Sequence, residues 1–271
     1  MLCRWWISLG LILCVSIPAL ARAGDWSPLA GEMQWSYAIS GVNKLAIAGM
    51  QQSQRVRGTR TVEVRDVRRD HPESPYELLD TRVTRSDGET GESRKVLRMW
   101  LRKDKQGLFD VAEEFANPFQ GGVRQMVHYS PALKLLPPGP EAGQTWDVGV
   151  LRVVGLHIKL TGKVLGLRDV ETPAGRYTGC LEVQYSGPIT GQLESPEGPL
   201  PIRSGSARLT SIFAPGIGTV VEQEHFELRM RVPDGPIIRS IERSRYELVS
   251  STLLPGAPAN ADPSRSAQPA Q

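Results

Sequence analysis

From Met33 onward, apolar and polar positions alternate with a period of two. Trp35, Tyr37 and Ile39 interleave with Gln34, Ser36 and Ala38, Val62 and Val64 with Glu63 and Arg65, and Leu97, Met99 and Leu101 with Arg98, Trp100 and Arg102. The second half repeats the pattern. Leu156, Ile158 and Leu160 stand against His157 and Lys159, Leu181, Val183 and Tyr185 against Glu182 and Gln184, and Phe226, Leu228 and Met230 against Glu227 and Arg229. Successive side chains of a strand point to opposite faces, so each run predicts a strand with one buried face. Pro137-Pro138-Gly139-Pro140 and the segment Pro196 to Pro201 separate runs as turns between antiparallel strands do. Only Val123 to Leu136 offers room for a short helix, which Pro131 would cut. The fold expected is all-β: a curved antiparallel sheet of the open half-barrel kind, with two related lobes as an alternative layout.

A loose internal repeat favours the two-lobe layout. Arg65-Asp66-Val67 and Arg168-Asp169-Val170 each close a strand, and each valine precedes a leucine, Leu78 or Leu181, by the same eleven residues. Pro137 and Pro138 cannot donate ladder hydrogen bonds, which places the boundary there and gives lobes of 24–136 and 137–254. Residues 255–271 are rich in Pro, Ala, Ser, Asn and Gln without apolar period and read as a disordered tail.

The start of the chain changes the picture of where it works. A short basic opening ending at Arg4, an apolar run from Trp5 to Leu20 and Ala21-Arg22-Ala23 make a secretory signal peptide, residues 1–23, cleaved after Ala23. The expected location is periplasmic or extracellular. Lipoprotein anchoring at Cys14, after Leu11-Ile12-Leu13, is the alternative, although Leu13 stands where a lipobox wants a small residue. Once Cys3 and Cys14 leave with the signal, Cys180 is the last cysteine and no internal disulfide can form. The formal charge of +3 loses two units with Arg4 and Arg22, so no overall basic field points to nucleic acid as a partner.

Three motifs in the second half form a signature: Gly143-Gln144-Thr145-Trp146, then Val170-Glu171-Thr172-Pro173-Ala174-Gly175-Arg176-Tyr177 leading into Cys180-Leu181-Glu182-Val183, then Phe213-Ala214-Pro215-Gly216-Ile217-Gly218-Thr219-Val220. It resembles that of uncharacterised bacterial secreted and lipoprotein families, which are themselves similar to periplasmic lipoprotein carriers and receptors of the Lol type. The resemblance covers about Tyr129 to Met230 and implies an open antiparallel half-barrel. The first half departs from it, with His71-Pro72-Glu73-Ser74 where Pro-Ala-Gly would stand. Physically the motifs are fold punctuation: Pro173 fixes φ, Gly175 permits positive φ, and Gly218 permits close backbone approach.

Candidate chemistry is sparse. His71, His128, His157 and His225 lack metal-ligand spacing, and no Gly-x-Ser-x-Gly, Walker, dinucleotide-binding or His-Glu-x-x-His motif occurs. Cys180 reads as a small buried hydrophobe. Asp66 and Asp169 read as strand-end carboxylates that bond turn amides, and Glu194 and Glu197 as a solvated edge. The densest basic stretch runs through Arg55, Arg57, Arg60, Arg65, Arg68 and Arg69; Arg55 and Arg57 share a face suited to anionic lipid or glycan, or to protecting a sheet edge.

The function expected is therefore non-enzymatic, with no cofactor and no metal: an exported cell-envelope protein that binds or carries a hydrophobic ligand, such as a lipid or lipopeptide. The candidate ligand-binding residues are Leu156, Ile158 and Leu160 on one strand and Leu181, Val183 and Tyr185 on another. Expected partners are a lipid or lipidated protein, or an envelope protein; nucleic acid is not among them. A structural or interaction module of an envelope complex is the alternative, and a hydrolase a distant third.

Overall fold

The structure is a computed structural model that describes residues 26–254 apart from 30–31, 69–72, 74–75, 118–120, 196–197 and 234. The proposed signal peptide, Cys14, His71, Arg69, Glu197 and the tail lie outside the described residues. Twelve strands follow one another: β1 (Met33–Ile47), β2 (Met50–Asp66), β3 (Tyr76–Ser86), β4 (Ser93–Asp104), β5 (Gly107–Asn117), β6 (Val123–Leu136), β7 (Thr145–Val153), β8 (Leu156–Thr172), β9 (Gly175–Leu193), β10 (Leu200–Ala214), β11 (Gly218–Arg231) and β12 (Ile237–Ser251). All belong to one antiparallel sheet in the order β6-β5-β4-β3-β2-β1-β12-β11-β10-β9-β8-β7. Every chain neighbour pairs with the next except β6 and β7, while β1 pairs with β12 from Trp35↔Ser251 to Ile47↔Ile238. The sheet is thus curled into a nearly closed barrel with a single unsealed seam. The segments 24–136 and 137–254 supply six strands each, and the Pro137–Pro140 connection crosses the seam.

Val123 to Leu136 is a strand and not a helix. Pro131 is tolerated because β6 borders the seam and because residues 129–132 bulge out of its ladder with β5, where Asp110 pairs Leu133 and Ala112 pairs His128. The inward positions match the apolar parity of the sequence, and one continuous core joins Trp35, Val62, Leu78 and Met99 of the first half to Ile158, Tyr185, Phe213 and Leu248 of the second. The outer face is mixed: on β8 the outward His157, Lys159 and Lys163 are exposed, and so are Leu165 and Leu167.

Candidate functional site

The six sequence-predicted ligand residues all point inward. Leu156, Ile158, Leu160, Val183 and Tyr185 are 0% exposed and Leu181 is 2% exposed, within the shared core. β8 and β9 bring them together, with Val164↔Val183 and Gly162↔Tyr185 in register, and they line neither of the two hollows described below. Tyr185 also ties the seam: its hydroxyl donates to the Leu135 carbonyl at 3.0 Å. Trp146 does the same at 2.8 Å to the Lys134 carbonyl, and its ring meets Tyr185 edge-on with centroids 6.0 Å apart. Side-chain donors thereby reach β6 carbonyls where no β7 ladder exists. Gly162 makes room for this, since a Cβ there would lie 2.3 Å from the Trp146 ring.

Deeper in the interior lies a charged cluster that the sequence reading did not anticipate. Arg60 Nε donates to Asp80 at 3.1 Å and its Nη1 to Glu222 at 3.0 Å, while the guanidinium lies 5.3 Å from the Tyr37 ring centroid and 5.1 Å from that of Tyr246. Arg82 bridges Asp80 and Glu224 and bonds the Tyr246 hydroxyl, which donates to Glu224 at 2.8 Å. Three carboxylates face two guanidiniums here. Burial pushes the Glu222 carboxyl up to about 7 against the pull of Arg60, and Glu224 adds to the rise.

A second buried acidic pair stands beside the seam. The β5 bulge at Val111, which shifts the pairing on both sides, turns Asp110 and Glu113 to the same inner face. The Tyr129 hydroxyl donates to Glu113 at 3.0 Å. Burial, then the neighbouring Glu113 charge, raises the Asp110 carboxyl well above its ordinary range, and burial lifts Glu113 to about 7. Two carboxyls in contact away from water share a proton. Among the described residues, no three His, Cys, Asp or Glu side chains converge as a metal-ligand set.

The outer face carries the more distinctive arrangement. A groove of about 760 Å³ crosses β10, β11, β12, β1 and β2. One wall is a row in direct register, Arg208–His225–Arg243–Val42–Arg55; the other, two residues along each strand, is Thr210–Gln223–Arg245–Ser40–Arg57. The floor is backbone of the row between them, Glu224, Ser244, Gly41 and Val56. Lys44 lies at the rim. Arg245 has Glu247 at 2.6 Å, but Lys44, Arg55, Arg57, Arg208 and Arg243 have no carboxylate partner among the described residues. Arg57 further pairs in register with Arg85 on β3. His225 is held below its ordinary range by partial burial, then by Arg243 and Arg208. Arg57 and Arg85 stand directly opposite, a destabilising like-charge pair, while His225, Val42 and Ser40 separate the arginines along the two groove rows; together the cations concentrate positive potential in a concavity.

Several readings need correction in these terms. Arg55 and Arg57 do not guard an edge, because β2 is paired on both sides. Arg60, of the same basic stretch, is buried. Glu194 is not a solvated edge residue: it is half-buried and accepts from Asn117 Nδ2 at 2.9 Å. Asp66, the last residue of β2, does accept a turn amide, from Arg68, whereas Asp169 lies inside β8 and accepts the amide of Gly179 at a bulge in its ladder with β9. Cys180 is fully buried, and burial, with Asp169 nearby, lifts its thiol to about 11, away from nucleophilic use. A smaller hollow of about 380 Å³ lies between Trp26 and the Pro137–Pro140 turn.

The fold and site define a nearly closed antiparallel barrel with an apolar core and a basic outer groove. No protein-family model matches the chain, and no curated protein matches it. Among solved structures it is similar to a provisionally named lipoprotein from Parabacteroides distasonis, at 12% identity and a TM-score of 0.32 over 82% of this chain and 95% of that one. It is also similar to a DUF1329 family protein from Desulfovibrio piger, at 9% identity and a TM-score of 0.22 over 77% of this chain and 82% of that one. Likenesses this loose assign neither activity nor ligand.

Proposed function

We propose that this is an exported, non-catalytic binding protein of the cell envelope that engages an anionic partner through the outer groove. The observation that carries the reading is the set of five cations around one concavity that have no carboxylate partner among the described residues, in a protein whose overall charge is close to balanced. A charge that folding leaves uncompensated, beside others of its own sign, is stabilised when an anion arrives. Retention on an immobilised sulfated polymer tests it. Replacing Arg55, Arg208 and Arg243 with alanine should weaken retention at least tenfold, whereas replacing the distant Arg124, Arg168 and Arg176 should leave it nearly unchanged. Equal loss in both variants would refute a dedicated groove.

A second reading, a carrier of a hydrophobic ligand, draws on the unsealed seam. Leu133 and Leu135 of β6 and Leu151 and Val153 of β7 are buried beside it, so parting the two strands would open the core around Ile158 and Tyr185. Uptake of a fluorescent fatty acid that Ile158→Glu abolishes, in a variant keeping its β-sheet circular dichroism, is the expected result. Wild-type protein that takes up no probe rejects this reading.

A further inference from the structure

Resting on the outer-groove reading, we infer that the partner is an acidic glycan: an extended chain of hydroxylated units bearing carboxylates, lying across the strands between the two rows. Three features of the groove select this chemistry.

The first is shape. The rows sit two residues apart along the strands, ~7 Å, and cross five strands in four steps of ~4.8 Å, so the concavity is a trough of ~19 Å. Its floor is backbone below two walls of side chains. A flat bilayer surface meets the tips of such walls and not the floor, while a single chain can lie along the trough.

The second is the state of the floor. β10, β11, β12, β1 and β2 are interior strands, each laddered to a neighbour on either side, so the trough has no open sheet edge to offer a peptide strand. Peptide addition to a sheet works through an open edge. Recognition in this trough therefore falls to side chains, which suits a ligand that needs no main-chain pairing.

The third is composition. Arg55, Arg208 and Arg243 present guanidinium forks matched to carboxylate oxygens, and Ser40, Thr210 and Gln223 on the facing wall supply short donors and acceptors for hydroxyls. His225 is the sole ring system among the lining residues, so the stacking platform that single-stranded nucleic acid uses is missing from the lining.

Calorimetric titration of the mature chain at low salt tests the inference, with four probes: a homogeneous oligogalacturonate, poly-glutamate of equal charge, vesicles containing anionic phospholipid, and neutral dextran. The oligogalacturonate should bind at least tenfold more tightly than poly-glutamate, and dextran should give no heat. Arg55→Lys with Arg243→Lys keeps the charge and removes the forks; it should weaken oligogalacturonate binding at least fivefold while changing poly-glutamate binding less. Poly-glutamate binding as tightly as the uronate, or vesicles binding while the uronate does not, would overturn the glycan inference and leave the anionic-partner reading standing. No binding to any of the three polyanions would bring down both.

Discussion

Glu222 and Glu113 show how much a single inward position can set the behaviour of this molecule. Both carboxyls rise from the ordinary glutamate value of 4.5 to about 7, and Asp110 rises as well. The folded state therefore holds protons that the unfolded chain releases. Their contribution is fully present below the unfolded value and is lost as pH rises through the folded one, so stability should fall between about pH 5 and about pH 8. Denaturation midpoints across that range check this, and Glu222→Gln with Glu113→Gln should flatten the profile. A midpoint that rises with pH would contradict the assignment. The sequence held the signal for these groups: Arg60 shares parity with Val62 and Val64, Asp80 with Leu78, and Glu224 with Phe226, so each belongs to an inward face. Composition hid it, because Arg60 sits in the same basic run as the outward Arg55 and Arg57. Asp110 and Glu113 have opposite parity, and only the bulge at Val111 turns both inward.

At the scale of elements, the seam between β6 and β7 is the place where the sheet depends on side chains instead of a ladder. Trp146→Phe keeps the aromatic ring near Gly162 and removes the bond to the Lys134 carbonyl, a loss of about 1 kcal/mol. Hydrogen exchange of β6 and β7 should quicken while β1 and β2 stay unchanged. Uniform quickening, or none, would mean that the bond does not hold the seam. Strand existence was legible wherever alternation ran uninterrupted, as from Leu156 to Leu160 and from Leu181 to Tyr185. β6 was not, because the bulge over 129–132 and Pro131 break its period, leaving a pattern that reads as a short helix. Gly175 takes a φ of 134°, the positive φ its motif implied, and Gly218, at the start of β11, takes a φ of 110°.

Over the whole molecule, the sequence carried the all-β class, and Pro137 and Pro138 lie in the connection between β6 and β7, at the seam. It did not carry closure. The β1–β12 ladder joins residues 191 to 216 positions apart, and no local pattern encodes such a pairing. The groove was hidden for the same reason: Arg208, Arg243 and Arg55 are far apart in sequence and meet only when β10, β12 and β2 share one register across that closure. The central claim is that the barrel works through this outer trough. Hydrogen exchange with and without the sulfated polymer addresses it most directly. The account predicts added protection confined to residues 40–44, 55–57, 208–210, 223–225 and 241–245, with β6 and β7 unchanged. Protection centred on β6 and β7, or none under saturating polymer, would contradict it.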